Sequence, residues 1–122
     1  MTPWAQVRHR TDDGVPIVAL EGEVDLANVP ELQNKILQHV PNTAVGLVLD
    51  LSGATYMDSS GVHLLVELAD RLRSRRQRLA VVAAAASFVR RVIELSQIPT
   101  IITVEADVEP ALAHVRGPKT RP

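Results

Sequence analysis

The sequence predicts an α/β domain with a mixed sheet of four or five strands, flanked by about four helices. Segments with strand and helix patterns alternate along most of the chain, and such alternation is typical of mostly parallel sheets with helices packed on them. Two apolar runs, Val45–Leu49 and Leu79–Val82, are typical of strands covered on both faces. A third run, Thr100–Val104, is predicted to be another interior strand.

The chain is predicted to begin with two strands joined by a tight turn. Ala5–Arg10 could form a short edge strand, and the Asp-Gly pair that ends at Gly14 is a strong signal for a hairpin turn. Pro16 cannot donate a hydrogen bond to a neighbouring strand, so we place it at the beginning of the second strand. We expect Gly22 to close that strand.

Four segments carry the pattern of helices. In the first, Asn28 is a plausible N-cap, Pro30 suits the first turn, and Pro41 ends the helix. The other helices are predicted to begin near Ser59 or Ser60, near Ser87, and near Val108. Apolar residues recur at helical spacing in the first three segments. They are Val29, Leu32, Ile36 and Val40 in the first, Val62, Leu65, Val66, Ala69 and Leu72 in the second, and Phe88, Val92 and Leu95 in the third. The fourth segment, "VEPALAHV", is predicted to be a short final helix.

The composition excludes several classes of function. The 122 residues fit one domain, with a core at about residues 5–115 and a polar, frayed tail at 116–122. There is no cysteine, which suits a cytoplasmic protein, and no apolar run approaches the roughly 20 residues of a membrane span. A net charge of −1 argues against nucleic acid and anionic membranes as partners. The scarce aromatic residues are interpreted first as packing residues: Trp4, Tyr56 and Phe88.

No catalytic, metal or cofactor site emerges from the sequence, so we do not expect an enzyme. Asp58, Ser59 and His63 lie in one short segment, whereas a working triad draws its base and acid from elsewhere in the fold. The four histidines lack metal-ligand spacing, and no phosphate-binding glycine motif is present. The arginines at 71–78 suit the C-terminus of a helix, where cations oppose the macrodipole; an acidic partner surface is the alternative explanation.

Three motifs in order along the chain resemble those of one protein family. They are "LVLDLSGATYMDSSGVHLLVEL", Gly22-Glu23-Val24-Asp25, and "SFVRRVIELSQIPTIITV". From about Val7 to Val115 the chain resembles the STAS-domain anti-sigma factor antagonists of bacteria, which implies the STAS fold. One departure is Gln97-Ile98-Pro99, where the family often has Gly-Leu; this changes a helix cap and leaves "DSSG" intact.

The resemblance implies a regulator of bacterial transcription and stress response. Its partner would be an anti-sigma factor that is also a serine kinase, and the resemblance allows a serine phosphatase as a further partner. Ser59 corresponds to the serine that the family phosphorylates. The unphosphorylated protein would bind the partner and free the sigma factor, and phosphorylation would release the partner. The residues implied in partner binding are Glu23, Asp25, Asp58, Ser59, Ser60 and Gly61. The alternative is a STAS interaction or scaffold module, in a signalling or transport complex, that is never phosphorylated.

The place of Ser59 suits such a switch. A helix N-terminus has unpaired N–H groups that could donate hydrogen bonds to a phosphate, so we expect the domain to survive the modification. Asp58 could equally be an N-cap, and Gly61 could allow close approach of either the partner or a neighbouring strand. On its residue type alone Asp25 could be a simple turn residue; we expect it to contribute to binding and little to folding.

Overall fold

The computed structural model describes residues 5–117. Within this range five strands and four helices alternate, with one short 3₁₀ helix at Ile98–Thr100. In chain order they are β1 (Gln6–Asp12), β2 (Val15–Val24), α1 (Val29–Gln38), β3 (Gly46–Met57), α2 (Ser59–Ser74), β4 (Arg78–Val82), α3 (Phe88–Leu95), β5 (Thr103–Glu105) and α4 (Val108–Arg116).

The strands form one sheet in the order β1-β2-β3-β4-β5. β1 pairs antiparallel with β2, and the other neighbouring strands run parallel, so the sheet is mixed as predicted. Successive side chains of a strand point to opposite faces. Leu47 and Leu49 accordingly join one apolar cluster with helices α1, α2 and α3, whereas Val48 joins a second cluster with α4. The predicted fold class is confirmed.

Each helix begins where the sequence predicts. Asn28, Asp58 and Ser87 are the residues immediately before α1, α2 and α3, and α4 begins at Val108. Ser87 caps α3 because its hydroxyl accepts a hydrogen bond from the Arg90 N–H at 3.0 Å. At the other end of α2, the arginine cluster lies around the helix C-terminus, where cations oppose the macrodipole.

The predicted limits of β1, β2 and β3 need correction. β1 begins after Ala5 and continues past Arg10 to Asp12. β2 does not close at Gly22 but passes through it to Val24, with a register shift beside a positive φ of 104°. β3 begins after the exposed Val45 and runs on to Met57, because β2 hydrogen-bonds to its second half.

The predicted interior strand Thr100–Val104 is wrong in both length and position. β5 covers only Thr103–Glu105 and lies at the edge of the sheet, paired with β4 alone. Pro99 and Thr100 instead belong to the 3₁₀ helix, whose Ile98 is buried in the core. A 3₁₀ turn, of which only Ile98 is buried, therefore takes up the first residue of the predicted strand.

Two helical details also differ from the prediction. The core face of α3 is formed by Val89 and Ile93, while Phe88 and Leu95 are exposed. At the C-terminus, α4 extends to Arg116, whose guanidinium bonds the Asp12 carboxylate at 2.8 Å. The remainder of the predicted frayed tail, residues 118–122, lies outside the described residues, as does Trp4. No helix between residues 5 and 117 is long and apolar enough to cross a membrane.

The stacked imidazoles of His9 and His39 predict a dependence of stability on pH. Their ring centroids lie 3.8 Å apart, joining β1 to the residue after α1. Burial, and secondarily the charge of His9, lowers the pKa of His39. The folded protein therefore holds fewer protons than the unfolded chain, so stability is lost as the pH falls below the ordinary histidine pKa of 6.5.

We expect the free energy of unfolding to fall between about pH 7.5 and 5.5, and His39→Gln to flatten part of that fall because Gln does not titrate there. Urea unfolding of both proteins at several pH values measures the difference. Parallel pH profiles for the two proteins would show that His39 is not responsible.

Candidate functional site

The predicted site residues meet at the edge of the sheet where the parallel strands end. Val24 of β2 pairs with Met57 of β3, and the Asp58 N–H donates to the Val24 carbonyl at 3.3 Å. The chain then leaves β2 toward α1 and leaves β3 directly into α2. Strand pairing thus brings the loop at Asp25 beside the helix start at Ser59.

Asp58 caps helix α2. One oxygen of its carboxylate accepts hydrogen bonds from the Ser60 N–H at 2.8 Å and the Gly61 N–H at 3.3 Å. This geometry confirms the capping alternative for Asp58. Because these two N–H groups are already occupied, a phosphate on Ser59 would meet the Asp58 carboxylate there instead of two free donors.

The two serines differ in accessibility. Ser59 is the first residue of α2 and is exposed, whereas Ser60 is only partly exposed. An enzyme that approaches this helix start therefore meets the Ser59 hydroxyl first. The difference favours Ser59 as the modified residue, and the modification itself stays a prediction.

The loop between β2 and α1 is held by a set of short hydrogen bonds. The Asp25 carboxylate accepts from the Ala27 N–H at 3.0 Å. The Asn28 side chain accepts from the Asp25 N–H at 3.0 Å and donates to the Glu23 carbonyl at 2.7 Å. Asn28 therefore closes the loop rather than capping α1 with its side chain, a role that its predicted N-cap position did not reveal.

Gly61 packs against the ends of both strands. A Cβ atom there would lie 2.5 Å from Met57 Cγ and 3.1 Å from Val24 Cγ1, closer than side chains normally approach. Gly61 is buried, as are Val24 and Met57. The structure therefore gives Gly61 a packing role, and its contact with a partner stays a prediction.

The structure does not assemble a catalytic triad at this edge. His63 is exposed, and its Nε2 lies 3.1 Å from the Glu67 carboxylate one turn along the helix. Among residues 5–117 no hydrogen bond joins His63 to Ser59, and Asp58 is engaged by the helix N-terminus. The site presents an exposed hydroxyl and nearby carboxylates, which suits recognition by a protein.

Two aromatic residues, Tyr56 and Phe88, lie at the same edge, which the sequence did not indicate. The rings of Tyr56 and Phe88 stack with centroids 5.7 Å apart and planes 12° from parallel. Tyr56 is 41% exposed and Phe88 is 52% exposed, so they pack on each other rather than in the core. Tyr56 lies only three residues before Ser59.

Comparison with known proteins identifies the family. The model of the STAS domain family matches residues 6–111. The chain belongs to the STAS-domain family. This STAS domain is 29% identical over 105 residues to the anti-sigma-F factor antagonist RsfB of Mycobacterium tuberculosis, covering 86% of this chain and 84% of RsfB. It is 32% identical over 101 residues to the putative anti-sigma factor antagonist BtrV of Bordetella bronchiseptica, covering 83% and 86% of the two chains.

A solved structure extends the similarity to three dimensions. The crystal structure of an anti-sigma factor antagonist from Mycobacterium paratuberculosis superposes on this STAS domain with a TM-score of 0.83 and 27% sequence identity. The match covers 93% of this chain and 96% of that one. The similarity therefore extends over almost the whole domain rather than over isolated motifs.

Proposed function

We propose that this STAS domain is an anti-sigma factor antagonist controlled by phosphorylation of Ser59. In its unmodified form it binds an anti-sigma factor that is also a serine kinase, and the sigma factor is released. The observation that carries this proposal is the exposed Ser59 hydroxyl at the capped start of α2, beside the loop at Asp25. The relatives named as anti-sigma factor antagonists support the same assignment. The role is binding rather than catalysis.

The geometry of the cap explains how a phosphate would release the partner. A phosphoserine carries a charge of about −1.5 to −2, and repulsion from Asp58 turns it away from the helix toward the partner. A partner surface that fits a neutral serine must then desolvate this charge. A loss of about 2.8 kcal/mol weakens binding roughly a hundredfold, which is enough for a switch without a change of fold.

The test uses each anti-sigma factor kinase encoded in the native genome, purified separately and titrated with this protein by calorimetry in the presence of ATP or ADP. We expect one kinase to bind the unmodified protein and to phosphorylate it. The phosphorylated protein should bind that kinase poorly. Intact mass spectrometry of the protein from its native cells, with and without phosphatase, tests the modification. Binding that persists without any phosphorylation would favour the scaffold alternative.

Substitutions at Asp25 can separate the effect of its charge on partner binding from the effect of its hydrogen bond on stability. Asp25→Asn keeps a side-chain oxygen for the Ala27 N–H, so we expect near wild-type stability and about tenfold weaker kinase binding, equivalent to 1.4 kcal/mol. Asp25→Ala also removes the hydrogen bond and should cost about 0.5–1.5 kcal/mol of stability. Calorimetric titration and thermal unfolding of both variants measure the two effects. Wild-type binding by Asp25→Asn would show that the charge of Asp25 is not recognised.

A further inference from the structure

Exposed apolar side chains are divided between the two ends of this domain. At the end that carries Ser59 they are Leu26 in the loop after β2, Tyr56 near the end of β3 and Phe88 at the start of α3, exposed by 75%, 41% and 52%. We call these residues the apolar surface. Among residues 5–117 the other large exposed apolar residues lie before β3, at the end of α3 and before β5, namely Val45, Leu95 and Ile101.

The apolar surface lies at the same edge of the sheet as the predicted site of modification. Leu26 and Ser59 each lie two residues beyond the paired residues Val24 and Met57. Tyr56 immediately precedes Met57 on the same strand, and its ring stacks on that of Phe88. The two connections that carry Asp25 and Ser59 therefore each also present an exposed apolar side chain, and the aromatic stack extends this surface to the start of α3.

The stack is costly to leave in water. Phe88 could join the core only by rotating α3, whose inward face is already filled by Val89 and Ile93. The two rings stack with an offset, and both residues remain about half exposed. Aromatic residues are enriched at the centres of protein interfaces, where they account for much of the binding energy.

A protein interface that includes Ser59 is large enough to reach the apolar surface as well. A stable interface buries about 800 Å² on each partner, a patch of some 20–30 residues. A partner that is released by phosphorylation of Ser59 must contact Ser59 closely, so a patch of this size also includes residues on both sides of it. We infer that the anti-sigma factor binds the apolar surface as well as Ser59, through an apolar patch of its own. This inference rests on the proposed function.

An apolar contact also accounts for the sensitivity of the complex to phosphate. Leu26 and Tyr56 lie at the same edge of the sheet as Ser59, so a partner that covers all three removes water from around the serine hydroxyl. Removing water costs far less for a neutral hydroxyl than for a phosphate, because the phosphate is charged. The apolar surface thus makes the modified state incompatible with binding, although it carries no charge itself.

The test compares Phe88→Ala and Tyr56→Ala with Leu95→Ala, which removes an equally apolar and more exposed side chain from the opposite end of α3. The probe is the kinase that binds the wild-type protein in the titrations described above. We expect at least a tenfold weaker affinity for Phe88→Ala and Tyr56→Ala, and wild-type affinity for Leu95→Ala. Thermal unfolding verifies that each variant is folded.

Hydrogen exchange of the wild-type protein gives a second measurement that needs no variant. Peptides that contain Tyr56 and Phe88 should gain protection when the kinase binds. Wild-type affinity of Phe88→Ala, or unchanged exchange of both peptides in the complex, would overturn the inference while leaving the proposed function intact. Failure of every kinase to bind the wild-type protein would overturn both. If the isolated protein dimerises and Phe88→Ala makes it monomeric, a second copy covers the surface and the inference is wrong.

Discussion

Ser59→Asp is expected to fold normally and to bind its anti-sigma factor about a hundredfold more weakly than the wild type. A carboxylate at the first turn of α2 is favoured by the helix dipole, so thermal stability should change little. The added charge lies beside Asp58, which already caps the helix, and therefore faces the partner. Titration calorimetry with the purified kinase measures the change in affinity.

Three control variants separate charge from size at Ser59 and distinguish it from Ser60. Ser59→Asn has nearly the shape of Ser59→Asp but no charge, so it should bind the kinase much more tightly than Ser59→Asp does. Ser59→Ala should bind like the wild type and accept no phosphate, while Ser60→Ala should still be phosphorylated. Tandem mass spectrometry after incubation with kinase and ATP locates the phosphate. Phosphate on Ser60 with Ser59 unmodified, or tight binding by Ser59→Asp, would contradict the assignment of Ser59.

Gly61→Val should destabilise the domain by about 3 kcal/mol, because its Cβ would collide with Met57 and its methyl groups would meet other buried atoms. For a domain of this size the melting temperature should fall by about 10 °C. The matched control is Ser60→Val, which introduces the same side chain one residue earlier, at a partly exposed position. Thermal and urea unfolding give the two stabilities.

The same comparison tests whether Gly61 is a packing residue or a partner contact. Its collision partner is Met57, the last residue of β3, so the substitution must push the start of α2 away from the strand ends. If Gly61→Val is as stable as the wild type and yet fails to bind the kinase, Gly61 is a partner contact rather than a packing residue. That result would reverse the role assigned to it above.

The sequence predicted helix starts better than strand limits, because helix starts depend on neighbouring residues whereas strand limits depend on pairing with distant segments. A helix start is decided by a few neighbouring residues, such as Asp58 and Ser87 with the N–H groups just after them. The second half of β3 carries Ser52 and Gly53, which locally favour a loop. It is a strand because β2 pairs with it, and no local pattern in β3 contains that information.

The sequence named residues for the candidate site but could not show how they are arranged. The resemblance to the family indicated Asp25 and Ser59, and both proved to lie at one edge of the sheet. The capping role of Asp58 was predicted as an alternative, because an N-cap can be predicted from residue type and position alone. The loop closure by Asn28 and the stacking of Tyr56 on Phe88 depend on tertiary placement, so residue spacing could not reveal them.

The parallel pairing of β2 with β3 has a consequence for how such proteins diversify. Main-chain hydrogen bonds between Val24 and the end of β3 hold the segments that carry Asp25 and Ser59 side by side, whatever their side chains are. Under the proposed function, substitutions in either segment would therefore change which partner is bound without changing where on the domain it binds.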